Sequence, residues 1–466
     1  MFENIHKIHF IGAGGIGVSA LIRFFLKLGK DVSGSDAVES ENSAALRNSG
    51  AKIFIGHNEK NLNNDTDLVV YSSAVPNDNS EFKKAEQLKI VSKSYPEMLG
   101  EIMKNYSCGI AVSGTNGKTT TTSLLGLMLE QAGFDPTVVV GGKIFSPNKE
   151  WDGNLRFGKN QKYFITEACE YKKNMLNLNP KFITLTNIEE DHLDYFKDLD
   201  DIKSAFTEYV SHIPESGSLI YNQDDAASRE VAEFCKAKKL SYSLDGARNS
   251  DLEAKNILEE SGMQSFDLVW QGQDLGRCDI FLPGIFNIYN SLAAALTALR
   301  LGVSFEVIKK TLMEFKGTWR RFEQVGILDH ALVISDYAHH PTALRETISG
   351  VKKFYPGKKI LVAFEPHQKD RTLKLFNDFV ESFNEADEVI ISEIYSVQGR
   401  NDAEREISSL DLVNAIKNKY LSRAISYSPN LVETKKIILE KAKNFDIILI
   451  MGAGDIYKVA NEVTAK

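Results

Sequence analysis

Cysteine is scarce in this 466-residue chain: Cys108, Cys169, Cys235 and Cys278, with no C-x-x-C pair among them. That spacing suggests neither a zinc knuckle nor a disulfide framework, and fits a reducing compartment. Long apolar runs are missing too. The best candidate, SLAAALTALRLGV, is broken by Arg300 and is too short to cross a bilayer. The N-terminus, MFENIHKIHFIGAG, has no basic n-region, apolar h-region or cleavage site, so a cytoplasmic protein is expected. Positive charge is not in excess. Lys and Arg total 55 against 63 Asp and Glu, a net charge of −8, which argues against nucleic acid or membrane as a partner. Low-complexity segments and short tandem repeats are also absent.

Apolar residues make up 43% of the chain, enough for several cores. At roughly 100–200 residues per domain, two to four domains are expected. Strand and helix patterns alternate. KIHFIGAG is a short apolar run ending in glycines, and GVSALIRFFLKLG has helical spacing and closes on Gly29. DVSGSD and LVVYSSAV are the next strands. A second unit begins near Tyr106, where CGIAVSG precedes the helix TTTTSLLGLMLEQAG. The strands KYFITEA and KFITLTNI follow. A polar, strand-like stretch spans 251–281, and LPGIFNIYNSLAAALTALRLG reads as an alanine-rich helix. After KGTWRRFEQ, a crossing between domains, four more apolar strands end in polar or glycine residues. The pattern predicts an α/β protein of three domains, residues 1–105, 106–320 and 321–466. The first and last are Rossmann-like and doubly wound, and the middle one is of the phosphate-loop type.

Two glycine loops carry the chemistry. GAGGIG sets Gly12, Gly14 and Gly17 in G-x-G-x-x-G register between a strand and a helix, with Gly15 inside the loop. Small residues let the backbone approach a pyrophosphate at the helix N-terminus. Asp36, 19 residues after Gly17, stands where a ribose-binding acid is expected. Taken alone, this loop reads as a site for NAD. SGTNGKTTTT is the second loop. Lys118 can neutralise β- and γ-phosphate charge, and Thr119 can offer its hydroxyl to Mg²⁺. The general form G-x-x-x-x-G-K-S/T has a glycine where Val112 stands, so this loop is short. Two acidic strand ends follow: Glu167 and Glu170, then Glu189, Glu190, Asp191, His192 and Asp194. In a parallel sheet such ends share an edge with the phosphate loop, where a glutamate is a natural Mg²⁺ ligand.

Together these motifs resemble the Mur ligases, which build the cytoplasmic peptidoglycan precursor. GTNGKTT is similar to their short loop, and TNIEEDHLDYF to their T-N-I-x-x-D-H-x-D-x-Y signature. FNIYNSLAA, WRRFE, DYAHHP and FEPHQKDRT resemble further family elements in the family's order, from residue 8 to about 456.

The resemblance implies two nucleotide sites. Gly12, Gly14, Gly15, Gly17, Asp36, Ser72 and Ser73 would serve the UDP-sugar, not NAD. ATP would take Gly114, Thr115, Asn116, Gly117, Lys118, Thr119 and Thr120. Asn287 and Asn290 would contact adenine, Arg321 the ATP phosphates, and Asp336 the ATP ribose. His340, His367 and Arg371 would line the substrate or amino-acid site. Thr119 and Glu167 would hold one Mg²⁺ (or Mn²⁺) and His192 a second, with Lys118, Glu167 and His192 as the catalytic residues.

The implied reaction joins L-alanine to the lactyl carboxylate of UDP-N-acetylmuramate through an acyl phosphate, releasing ADP and phosphate. Reattachment of a preformed murein tripeptide is the alternative within the family, and His367 argues against it. A nicotinamide-dependent oxidoreductase is the alternative outside it, and would leave GTNGKTT unexplained. Monomer and homodimer are both compatible with the pattern. Three departures from the family pattern stand out: Asn116 and Phe286 replace histidines, and EACEY replaces E-A-D-E-S-D. They leave glycine and serine open as acceptors beside alanine.

Overall fold

The computed structural model describes residues 1–466 except 145–150, 194, 245–248, 261, 397–406, 422–423 and 466. Asp194 therefore lies outside the described residues.

The first sheet is built from Lys7–Ile11 (β1), Asp31–Asp36 (β2), Lys52–Ile55 (β3), Leu68–Tyr71 (β4) and Val91–Ser94 (β5). All its pairings are parallel, in the order β3-β2-β1-β4-β5. Helices Ile16–Lys27 (α1), Glu41–Asn48 (α2), Ser80–Gln87 (α3) and Tyr95–Met103 (α4) make the crossovers. Strand order reverses around β1, so the loops after β1 and β4 flank one crevice, the position where open α/β sheets take ligands.

The second sheet centres on Cys108–Ser113 (β6), buried along its whole length, as a strand covered on both faces should be. After helix Lys118–Gln131 (α5) come Thr137–Val139 (β7), Trp151–Asp152 (β8), Leu155–Arg156 (β9), Tyr163–Ala168 (β10) and Phe182–Leu185 (β11). Leu199–Ser211 (α6), Ser218–Asn222 (β12), Ala226–Ala232 (α7) and Lys238–Leu244 (β13) complete this part. The order runs β13-β12-β11-β6-β10-β7-β9-β8, with β6 parallel to both β10 and β11. The polar stretch near 251–281 becomes three strands, Leu252–Glu260 (β14), Met263–Trp270 (β15) and Gln273–Ile280 (β16). Helices Ile285–Arg300 (α8) and Phe305–Glu314 (α9) follow.

The third sheet has the order β17-β18-β22-β19-β20-β21. Its strands are Glu323–Leu328 (β17), Ala331–Asp336 (β18), Ile360–Phe364 (β19), Glu388–Ser392 (β20), Ala424–Ser428 (β21) and Ile447–Met451 (β22). Only β17 is antiparallel to its neighbour. Asp336 pairs in register with Met451, and Met451 with Phe364, so these strand ends share one edge. The helices are Pro341–Phe354 (α10), Lys369–Lys374 (α11), Phe376–Glu381 (α12), Ser409–Lys419 (α13), Leu431–Lys441 (α14) and Tyr457–Thr464 (α15). Among the described residues, no helix is long and apolar enough to cross a membrane.

The chain packs as two compact units. One comprises residues 1–253, 269–275 and 289–311, and the other 254–268, 276–288 and 312–466. The first unit thus spans the expected boundary at 105/106. Ile8, Phe10 and Phe24 belong to the same buried cluster as Phe164, Met175 and Ile183, so the core continues across it. Arg23 on α1 donates to Asp152 at 3.1 Å and to Asn154 at 3.3 Å. Gly100 on α4 lies directly against the Asn177 carbonyl, with no room for a β-carbon. Gly100→Ala should therefore cost about 1–3 kcal/mol by forcing backbone apart. Urea unfolding of the variant should show a lowered midpoint with an unchanged slope.

Candidate functional site

The loop after β1 is shaped by the strand beside it. The N–H groups of Gly12 and Ala13 both donate to the Ser35 carbonyl at 2.9 Å, and Gly14 N–H donates to Asp36 Oδ2 at 2.7 Å. Gly12 has φ +84°, and a β-carbon there would stand 2.9 Å from Ser72 Cβ. At Gly17 it would stand 2.8 Å from the Tyr95 ring. Gly15 is the N-cap of α1. Ser72 continues from β4, and Ser73 is exposed on the turn after it. The strand ends thus bring Gly12, Gly14, Asp36 and Ser72 together, with Gly15 and Gly17 opening α1. Asp36, read as a ribose acid, also braces the loop through one of its oxygens.

The second loop runs from Ser113, at the end of β6, to Lys118, the first residue of α5. Val112 is fully buried inside β6 and pairs with Glu167 and Thr184 on the two neighbouring strands. The loop proper begins only at Gly114, which explains its short form. Gly114 has φ +131° and Gly117 has φ +83°, both in the region that favours glycine. The segment after β11 holds the loop. Thr115 N–H donates to Asn187 O and Asn116 N–H to Asn187 Oδ1, each at 2.9 Å. Asn116 Nδ2 donates to Glu189 Oε2 at 3.3 Å, and Thr186 Oγ1 donates to Asn116 O at 2.6 Å. Asn116 is thus a brace between loop and neighbouring strand. Thr119 and Thr120 are buried in the first turn of α5.

Lys118 Nζ donates to the carbonyls of Gly114 and Thr115 and to Glu170 Oε2, the last two at 3.0 Å. Burial opposes its charge, but Glu170, together with Cys169 and Glu167, outweighs it and holds the ammonium above its ordinary pKa. Asn290 on α8 occupies the space a side chain at Gly117 would need, and Thr121 Oγ1 donates to its Oδ1 at 3.4 Å. Asn287, a turn earlier, donates to Pro283 O at 2.7 Å.

Glu167, on β10, accepts from Thr119 Oγ1 at 3.1 Å and from Gly141 N–H. His192 Nε2 lies 3.8 Å from Glu170 Oε1 and 3.9 Å from Asp191 Oδ2. One ligand atom from each of Glu170, Asp191 and His192 falls within 4.8 Å of the others. His192 has φ +54° and its ring rests on Tyr171, 4.6 Å between centroids. Thr119 with Glu167 is therefore one donor set, and His192 with Glu170 and Asp191 is another. The first is all oxygen, as a hard cation requires. The second joins two carboxylates, which suit Mg²⁺ and Mn²⁺, to an imidazole, a softer ligand than a hard cation prefers. Sequence reasoning noted Glu170 and Asp191 as acidic strand ends but gave them no role, because their convergence on His192 is a tertiary fact.

In the second unit, Asp336 accepts Phe322 N–H on one oxygen and Ala338 N–H on the other, each at 2.8 Å. Burial raises its pKa, and Arg321 works against that rise. The Arg321 guanidinium lies 4.7 Å over the Tyr337 ring. Its neighbour Arg320 was not singled out by motif. It is buried, donates to the carbonyls of Gly452 and Gly454, and lies over Tyr457 at 4.5 Å. Of the two arginines in WRRFE, the first is committed to structure and the second is the more open. His367 stacks on Tyr395 at 5.4 Å, with His339 at 5.9 Å and Arg371 Nη1 3.5 Å from its Nδ1. His340 is the N-cap of α10. The double histidine of DYAHHP was the signal for His339, and nothing in the sequence pointed to Tyr395.

Glu365, buried at the end of β19, accepts Ile456 N–H at 3.0 Å. Burial pushes its carboxyl up to about 7, and Asp455 adds to this; the Ile456 bond and Arg320 offset only part. The folded chain therefore keeps a proton that the unfolded chain releases above its ordinary value. The stabilisation is complete below about pH 4.5 and is lost as pH rises through 7, by up to roughly 3 kcal/mol. Glu365→Gln mimics the protonated form. Urea unfolding at about pH 5 and about pH 7.5 should show a wild-type loss of stability that the variant largely lacks.

Three family models match the chain. They are the Mur ligase family catalytic domain over residues 7–107, the Mur ligase middle domain over 112–298, and the Mur ligase glutamate ligase domain over 320–454. The UDP-N-acetylmuramate–L-alanine ligase of Alkaliphilus metalliredigens is 43% identical over 465 residues, covering 100% of this chain and 98% of its own. That of Clostridium acetobutylicum is 42% identical over 462 residues, covering 99% and 98%. Among solved structures, the UDP-N-acetylmuramate–alanine ligase of Thermotoga maritima superposes with a TM-score of 0.83 at 26% identity, covering 98% of each chain. A murein peptide ligase from Psychrobacter arcticus shares the fold, with a TM-score of 0.73 at 24% identity, covering 99% of this chain and 100% of its own. With three domain matches in family order and full-length relatives above 40% identity, the chain belongs to the Mur ligase family.

Proposed function

We propose that this chain is an ATP-dependent ligase that joins L-alanine to the lactyl carboxylate of UDP-N-acetylmuramate, a step of peptidoglycan precursor synthesis. The observation that carries this reading is the presence of two separately built glycine loops in one compact unit, each opening a helix. A nicotinamide oxidoreductase needs only the first. Full-length similarity to ligases named for this reaction favours alanine as the acceptor.

A carboxylate is a poor electrophile and must be activated. Its oxygen attacks the γ-phosphorus of ATP, ADP leaves, and an acyl phosphate forms. The neutral amine then attacks the acyl carbon, the amide bond forms, phosphate leaves, and the nitrogen gives up a proton. Both steps gather negative charge, so positioning and neutralisation dominate. Lys118 would hold the β- and γ-phosphates, exchanging its contacts with Glu170 and the loop carbonyls for phosphate oxygens. Thr119 and Glu167 would hold one divalent cation, and His192 a second with Glu170 and Asp191. Bound there, the cations supply neutralisation of phosphate charge. Arg321 and Asp336 would serve ATP from the C-terminal sheet, and Asn290 the base beside the loop. The Arg371 guanidinium beside His367 suits the carboxylate of an amino acid.

Purified protein with ATP, Mg²⁺ and UDP-N-acetylmuramate should release ADP only when L-alanine is added. Turnover with a preformed tripeptide and not with L-alanine would assign the chain to wall recycling instead. Lys118→Ala should abolish ligation while UDP-sugar affinity, measured by calorimetry, stays near wild type. A folded variant that no longer binds the UDP-sugar would contradict the division between the two loops.

A further inference from the structure

Glu81, in the first turn of α3, belongs to no motif, yet it and His9 are both fully buried. Its carboxylate gathers donors from three neighbouring segments. Oε2 accepts from Ser35 Oγ on β2 and lies 3.3 Å from His9 Nε2 on β1. Oε1 accepts Asn58 N–H at 3.0 Å and Asn61 Nδ2 at 2.7 Å, both beyond β3. The His9 Nδ1 atom is 2.8 Å from Ser33 Oγ, and His57 Nδ1 is 3.0 Å from Ser35 Oγ. Burial works against the charge, but the bonds from His9, Ser35, Asn61 and Asn58 hold the carboxyl down at about 2. It is therefore ionised throughout the neutral range.

A buried carboxylate is weak support for stability, because an apolar replacement often does as well. Its partner here is informative. Ser35 has two ends. Its hydroxyl is tied to Glu81, and its carbonyl receives the N–H groups of both Gly12 and Ala13. The next residue, Asp36, receives Gly14 N–H. These three bonds occupy the front of the loop and deliver the chain into α1 at Ile16. The first-turn N–H groups of that helix have no acceptor within it and are left for an anion.

We infer that Glu81 is a positioning residue for the nucleoside diphosphate of the substrate: it anchors Ser35 from behind, so that the Ser35 carbonyl and Asp36 set the glycine loop around the pyrophosphate. The inference rests on assigning that loop to the sugar nucleotide. Its reach is selective. The phosphate loop is braced instead by Asn187 and Glu189, so ATP affinity does not depend on Glu81.

Calorimetric titration of the full chain with UDP, and separately with ATP, tests it. Glu81→Gln keeps size but turns an amide donor toward Ser35 and His9. It should weaken UDP binding by about tenfold or more, the effect of losing a charge-assisted hydrogen bond, and leave ATP binding within about twofold. Ser35→Ala removes only the hydroxyl and keeps the carbonyl. It should show the same selective loss, and it decides the matter should Glu81→Gln fail to fold. Gly12→Ala tests the underlying assignment. If it binds UDP as wild type does, the loop is not the UDP site and the inference fails with that reading. If Gly12→Ala loses UDP while folded Glu81→Gln and Ser35→Ala keep it, the assignment stands and Glu81 has no positioning role. Equal losses of UDP and ATP in both variants would mark a general structural role and overturn the inference.

Discussion

Backbone N–H groups handed from a glycine loop to the neighbouring strand are the constraint on which the rest of the site depends. The loop after β1 gives three of them to Ser35 and Asp36 on β2. The loop after β6 gives two to Asn187, just past β11. In each case an adjacent parallel strand extends far enough to catch the loop as it leaves the sheet. The helix that follows then starts at a defined residue, Ile16 or Lys118, with its unpaired N–H groups directed outward. Glycine is required where φ is positive and where side chains such as Ser72 and Asn290 press against the turn.

Buried charge is the second theme, at the phosphate loop and at the end of the C-terminal sheet. Lys118 rests on Glu170 and on two loop carbonyls. A phosphate arriving there exchanges one set of charge-assisted contacts for another, which avoids exposing a bare ammonium to a low-dielectric pocket. In the C-terminal sheet Arg320 and Glu365 grip one turn from opposite chemical sides. The arginine binds the Gly452 and Gly454 carbonyls, and the glutamate binds Ile456 N–H. That grip fixes the end of β22 beside Asp336 and Phe364, on the edge carrying His367 and Tyr395.

Much of the site was legible because its chemistry is local in sequence. A strand, a glycine-rich turn and a helix leave their pattern within a dozen residues, so Gly12 to Gly17 and Gly114 to Thr120 could be read directly. Glu167 stood out near the end of an apolar strand, whereas the role given to His192 came from the family resemblance. Less legible were residues whose meaning lies in a distant partner. Asn116 stood out as a departure from the family pattern, but its bonds to Asn187 and Glu189 cross more than seventy residues. Arg320 and Arg321 are adjacent and chemically alike, and only burial separates them. Glu81 looks like any exposed helical glutamate until β1, β2 and the segment after β3 close around it.

Composition, periodicity and glycine spacing were enough to specify three α/β sheets with nucleotide-type turns at their strand ends, since φ, hydrogen bonding and apolar alternation act over a few residues. Packing decided where one folding unit ends and another begins. The core that joins Ile8 to Phe164 spans the expected boundary at 105/106, and no change of composition marks it, because it is assembled from side chains far apart in the chain. Packing also decided which acids neutralise which cations. Glu170 rather than Glu167 meets Lys118, a choice set by distances of about 3 Å that arise only when β6, β10 and the loop after β10 are brought side by side.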